Sequence, residues 1–186
     1  MVRPDRDQLC GRIEVDETYI GGVAVGGKRG RGSEKKEIVV IAVEIFSPKG
    51  FGRVRIRRIP DVSGESLVPF VCDVARKGSE ILTDGWQGYN QLSRFGYKHQ
   101  RTVASDTGSP AHVSMPGVHR IAALVKRWLL GTHQGSVSKK HLEYYLDEYT
   151  FRFNRRTSRS RGMLFYRLMQ QAVATPPLPY RQIVKR

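Results

Sequence analysis

Asp16, Asp84 and His119 are placed so that one pocket could gather them. The expected elements put Asp16 at the end of a first strand, Asp84 at the end of a fourth, and His119 at the opening of a long helix. Two carboxylates in one site repel each other unless a cation lies between them. The pairing therefore points to a divalent metal with oxygen ligands rather than a bare acid–base couple. A plainer reading competes: each aspartate caps a turn, as Asp often does before Gly, and Gly85 follows Asp84. Spacing adds to the first reading. Thirty-five positions separate Asp84 from His119, and Lys126 follows His119 by seven, two helical turns on one face. Ala122 and Ala123 lie between them, small enough to admit a phosphate backbone.

The elements that must carry these residues follow from periodicity and punctuation. Gly11 to Tyr19 alternates polar and apolar residues and reads as a strand ending near Asp16. Gly21 to Lys36 is a loop rich in Gly, Lys and Arg. Glu37 to Phe46 is a β-branched run long enough for a buried strand, and Ser47-Pro48-Lys49-Gly50 turns the chain back into Arg53 to Ile59, making a hairpin. In that second arm Val54 and Ile56 alternate with Arg53, Arg55 and Arg57, which predicts one basic, exposed face. Ser63 to Lys77 reads as a helix burying Leu67, Phe70, Val71 and Val74, with Pro69 tolerable only in a first turn and Gly78 as the stop. A strand over Glu80 to Thr83, a helical turn to Phe95 and a strand over Tyr97 to Val103 complete the order β-β-β-α-β-α-β.

Beyond a Ser-, Gly- and Pro-rich connection (Ala104 to Gly117), Val118 to Leu130 is a helix with Val118, Ile121, Leu124, Val125 and Trp128 as its apolar stripe. A second helix begins after Ser136 or Ser138 and buries Leu142, Tyr145, Leu146, Tyr149 and Phe153. Arg152 to Arg161 is densely basic, Met163 to Val173 is a third helix, and the Pro-rich tail from Thr175 reads as loose.

Charge narrows the partners. The chain has 32 Lys plus Arg against 17 Asp plus Glu, a net +15. Such an excess implies a polyanion, because each phosphate neutralised releases condensed counterions, but charge alone does not choose between DNA, RNA and a ribosomal setting. The longest apolar run, Ile38 to Val43, is far short of the roughly 20 residues of a membrane-spanning helix. A polar N-terminus excludes a signal peptide, and two cysteines make neither a disulfide framework nor a zinc quartet, so a reducing, cytoplasmic, nucleoid-associated setting is expected.

Five segments in order carry a family resemblance: V-D-E-T-Y-I-G-G (Val15 to Gly22), T-D-G-W-Q-G-Y (Thr83 to Tyr89), V-H-R-I-A-A-L-V-K-R-W-L-L-G-T-H-Q-G (Val118 to Gly135), V-S-K-K-H-L-E-Y-Y-L (Val137 to Leu146) and F-R-F-N-R-R (Phe151 to Arg156). The chain resembles the DDE transposases of the retroviral-integrase superfamily, in particular their ISXO-like insertion-sequence branch. The resemblance implies an α/β RNase H-like fold, a mixed five-stranded sheet flanked by helices with a helical C-terminal extension. It implies a catalytic domain over 11–160, a remnant of ten residues before it, and a helix and basic tail over 161–186. It also implies metal-dependent DNA strand cleavage and strand transfer on a two-metal Mg2+ or Mn2+ site, and homo-oligomers assembled on transposon ends and target DNA. By the same resemblance Asp16 and Asp84 are the first two metal-binding acids, His119 stands where the superfamily usually has Glu, and Lys126 is the basic residue that follows.

The resemblance and the basic character together mark Lys126, Arg127, Lys28, Arg29, Arg31, Arg152, Arg155, Arg156 and Trp86 for DNA. Trp86 and Tyr89 could stack on an unpaired base or pack beneath the site. Glu17, beside Asp16, points to the opposite face of the strand and is assigned a structural role. Gly22 to Lys28 nearly matches a nucleotide-binding loop, but Arg29 replaces the Ser or Thr needed on magnesium. ISXO-like transposases usually carry a zinc ribbon and a helix-turn-helix before the core, which suggests a truncated copy. The alternative to an active enzyme is a catalytically silent, basic DNA-binding remnant.

Overall fold

The computed structural model describes residues 6–21, 36–46, 48, 50–102, 114–134 and 137–184. Five strands form one mixed sheet in the order β3-β2-β1-β4-β5. They are β1 (Arg12–Ile20), β2 (Glu37–Ile45), β3 (Phe51–Ile59), β4 (Glu80–Thr83) and β5 (Lys98–Arg101). β1, β2 and β3 pair antiparallel, whereas β4 lies parallel to both β1 and β5.

Helix α1 (Gly64–Val74) covers one face of the sheet. Helices α2 (Pro116–His133) and α3 (Leu142–Phe153) cover the other. The alternation of each strand divides the core accordingly. Ile13, Val15, Val40 and Ala42 join Leu67, Phe70 and Val71 of α1, while Val39, Ile41, Val43, Val54 and Ile56 join Ile121, Val125, Leu142 and Leu146. Among the described residues no helix is long and apolar enough to cross a membrane.

Four expectations change. Asp16 sits in the middle of β1, because that strand pairs with β2 along all nine of its residues. Pro69 lies in the second turn of α1, not the first; its exposed ring leaves a helix held by burial of Leu67, Val68, Phe70, Val71 and Val74. The basic face of β3 is covered at its centre rather than exposed throughout, while Arg53 and Arg57 stay partly open. Residues 7 and 8 cross it, Arg55 donating to the Asp7 carbonyl (2.6 Å) and Arg53 to the Gln8 carbonyl (2.8 Å), and Arg55 is 5% exposed. The C-terminal stretch is helical twice, as α4 (Arg161–Val173) and as α5 (Tyr180–Val184) in the expected loose tail. α4 buries none of its residues and leaves Met163, Phe165 and Tyr166 exposed.

At the bulge between Val43 and Ile45, Glu44 is 4% exposed and fully engaged. Its carboxylate accepts from the Arg53 guanidinium (2.7 and 3.0 Å), the Arg53 amide (2.8 Å) and the Cys10 amide (3.0 Å). Burial opposes its ionisation, but these four donors win and hold its pKa below the ordinary value.

Candidate active site

The parallel pairing of β1 with β4 aligns the two aspartates. Arg12 lies opposite Glu80, Ile13 opposite Ile81 and Glu14 opposite Leu82, and continuing that offset sets Asp16 level with Asp84, one residue past the end of β4. Ligand sites in sheets of this kind form where parallel strands end. Each carboxylate is oriented by a backbone amide: Glu17 donates to Asp16 Oδ1 (2.9 Å) and Trp86 to Asp84 Oδ1 (3.0 Å). Asp84 thus caps the turn it begins as well as standing level with Asp16.

Tyr89 is wholly buried on the α1 side, where its hydroxyl donates to Glu17 Oε2 (3.2 Å). Glu17 is therefore turned away from Asp16, as strand alternation predicts. Burial raises the Tyr89 pKa well above its ordinary value, and the charges of Glu17, Asp16 and Asp84 push it further, so three carboxylates act on one phenol.

Glu14 and Asp16 share the opposite face of β1, turned to α2. His119 Nδ1 is 3.9 Å from Asp16 Oδ2, with side chains 35% and 17% exposed. Helix α2 has no side-chain cap of its own. Its cap comes from β1: Glu14 Oε2 accepts from the Val118 amide (2.8 Å), and the Gly117 amide faces the same carboxylate. Burial raises the Glu14 pKa, against the pull of these amides and of Arg12.

Further along α2, Lys126 has its pKa lowered by partial desolvation and by Lys36, with Asp16 opposing. Pro116, His119, Arg120, Ala123, Leu124 and Arg127 line an open groove of about 490 Å³ on the outer side of the helix.

The donors at hand, two carboxylates and an imidazole, suit a divalent cation such as Mg2+ or Mn2+ in their chemistry. Among the described residues no three His, Cys, Asp or Glu side chains are already drawn together as a metal cluster.

The sequence pattern of the ISXO2-like transposase domain matches residues 8–154, a span that includes the sheet, α1, α2 and α3. This chain belongs to the ISXO2-like transposase family. It is also 25% identical over 112 residues to an uncharacterized transposase-like protein of Haemophilus influenzae, covering 60% of this chain and 89% of that relative.

Within this transposase domain the other basic residues differ in how they are held. Arg127 is exposed on α2, and Arg152 is exposed on α3 with an ion pair to Glu148 at 2.7 Å. Arg155 lies over the Phe151 ring at 3.9 Å and donates to the Phe151 carbonyl (3.3 Å). Arg156 is tied down: it stacks on Phe153 and donates to the carbonyls of Phe51, Gly52 and Phe153, joining α3 to β3. The Trp86 indole donates to the Val62 carbonyl (2.7 Å) and packs against the core, beneath the site. Lys28, Arg29, Arg31 and the loop resembling a nucleotide-binding motif lie outside the described residues. His133 is enclosed by Trp128 and Tyr145.

Sequence reasoning passed over Glu14. Its signal was present in I-E-V-D, where alternation puts Glu14 on the same face as Asp16.

Proposed function

We propose that this transposase domain cleaves DNA strands and transfers them in a metal-dependent reaction, with Asp16, Asp84 and His119 as the metal-holding set. What supports the reading is that the β1–β4 register, continued beyond Glu14 and Leu82, sets Asp16 level with Asp84, one residue past β4, and that His119 of α2 lies 3.9 Å from Asp16. The chemistry that a pair of divalent ions supplies at such a site is activation of the attacking oxygen and stabilisation of the leaving one in an in-line displacement.

The chain's own residues position and neutralise. The amides of Glu17 and Trp86 fix the two carboxylates, so that they need not reorganise when a phosphate arrives. Lys126 and Arg127, further along the helix that presents His119, offer positive charge to the backbone of the bound strand, and Ala123 leaves it room. The catalytic unit is residues 11–160, and 161–186 an extension; the DNA is that of transposon ends and target, on which copies of the chain assemble, in a cytoplasmic, nucleoid-associated setting.

A second reading is a DNA-binding chain whose site is silent. It draws on His119 replacing an acid and on the lack of a preassembled three-ligand cluster among the described residues.

Nicking of supercoiled plasmid separates the two. The enzyme reading expects cleavage that needs Mn2+ or Mg2+ and falls on the order of a thousandfold in Asp16→Asn and Asp84→Asn, the scale for removing one preorganised group from a site of developing charge. DNA affinity should be unchanged or slightly higher, because a negative charge has left a phosphate site. Undiminished cleavage by either variant would exclude that aspartate, and metal-independent DNA binding without cleavage would establish the silent reading.

A further inference from the structure

We infer that Glu14 is a positioning residue, its carboxylate fastening the first turn of α2 to β1 and so setting the distance between His119 and Asp16. The inference rests on the reading of Asp16, Asp84 and His119 as the active site.

The accounting of backbone donors at the start of α2 carries it. The first N–H groups of a helix have no partner within the helix. In α2 the first position is Pro116, which has none to satisfy. Gly117 and Val118 come next; the Val118 amide donates to Glu14 Oε2 at 2.8 Å, and the Gly117 amide faces the same carboxylate and favours its charge. The His119 amide reaches the Met115 carbonyl at 3.5 Å. The whole opening of the helix is thus settled by one proline, one backbone carbonyl and one side chain from a strand 104 residues earlier in the chain. A carboxylate suits that place, because it accepts charge-assisted bonds and meets the positive end of the helix dipole.

Gly117 is the counterpart on the helix. A Cβ added there would come within 2.5 Å of Ile45 Cδ1 and 2.9 Å of Glu14 Oε2, so a larger residue would displace the ends of both side chains. Glu14 itself is 3% exposed and its Oε2 accepts from the Val118 amide, whereas the Asp16 side chain two residues on is 17% exposed. His119 is the next residue after Val118, so any slackening of this joint is passed directly to the imidazole facing Asp16.

Hydrogen exchange on the full chain, with nicking kinetics beside it, tests the assignment. Glu14→Ala should lower protection of the Gly117 and Val118 amides about tenfold, the scale of one hydrogen bond, while central-strand amides in β1 and β2 keep theirs. It should lower kcat for nicking about 10- to 100-fold with KM for DNA unchanged, as a small misplacement of a reacting group does. Glu14→Gln keeps an acceptor oxygen and should restore most of both. Gly117→Ala, whose Cβ presses on Glu14 Oε2 and so disturbs the same joint while the carboxylate is present, should reproduce the kcat loss, and it carries the test if Glu14→Ala does not fold.

Wild-type protection at Gly117 and Val118 in Glu14→Ala would overturn the inference. So would a kcat loss in Glu14→Gln equal to that in Glu14→Ala with amide protection retained. If the parent chain does not nick DNA, the function proposed above fails, and the exchange measurement still decides the role of Glu14.

Discussion

Two buried-acid systems in this sheet are built in opposite ways. At the β2 bulge, Glu44 meets Arg53 at 2.7 and 3.0 Å and two backbone amides besides, so every part of its charge is answered by protein. At the end of the β1–β4 pairing, Asp16 meets His119 at 3.9 Å, beyond a hydrogen bond, with both side chains partly open to solvent. The first arrangement is complete as it stands and serves the fold. The second orients each acid through one backbone amide and leaves Asp16 partly open to solvent beside an imidazole. Glu14 stands between the two in character: a buried carboxylate that caps a helix, two residues from one that is partly exposed.

The sharpest break of this comparison is at Glu44. Glu44→Ala leaves Arg53 and the Cys10 amide without their acceptor and should cost about 3 kcal/mol in denaturant unfolding, the scale for removing one partner of a buried pair. Nicking per folded molecule should not change. The acid limb follows the same logic. The folded pKa of Glu44 is depressed, so its contribution is complete above the unfolded value of 4.5 and is lost as pH falls through the folded value. Glu44→Gln should therefore flatten the loss of stability in that acid range, and an unchanged acid limb would mean that other carboxylates govern it.

A smaller effect is expected at His119. Magnesium favours oxygen ligands and manganese accepts imidazole more readily, so the parent should work better with manganese. His119→Glu should move the ratio of nicking rates towards magnesium by about tenfold, roughly 1.4 kcal/mol. The same ratio in parent and variant would remove His119 from the ligand set.

The smallest effects separate held from available arginines. Arg152→Ala breaks an exposed ion pair worth about 0.3–0.5 kcal/mol and should leave stability nearly unchanged, while lowering the salt slope of DNA binding by about 1. Arg156→Ala removes a link between α3 and β3 and should act on stability instead. Equal salt slopes for the two variants would erase the distinction.

Much of this was legible in the sequence for definite reasons. The β-branched run of β2 and the apolar stripe of α2 are local signals, and each element lies within a few residues of its expected place, although α1 ends at Val74, before the stop expected at Gly78. Asp84 stands one residue past β4, as expected, whereas the strand end expected at Asp16 was misplaced, because pairing with β2 carries β1 on to Ile20. What failed was decided at long range. Nothing near Arg53 and Arg55 announces that residues 7 and 8 will cross β3, bond both and bury Arg55. Arg156 sits in a basic run that reads as a DNA contact, yet its carbonyl partners lie on β3. The cap of α2 was invisible at its own start, where Met115 offers no side-chain acceptor, because the acceptor is on β1.

The central claim is that Asp16 and Asp84 form one cation site, and Mn2+ titration followed by calorimetry on the full chain measures it without requiring turnover. The parent should bind Mn2+ with a resolvable heat, and Asp16→Asn and Asp84→Asn should each abolish that binding while thermal unfolding stays cooperative. Undiminished Mn2+ binding in either variant, or none in the folded parent, would contradict the account.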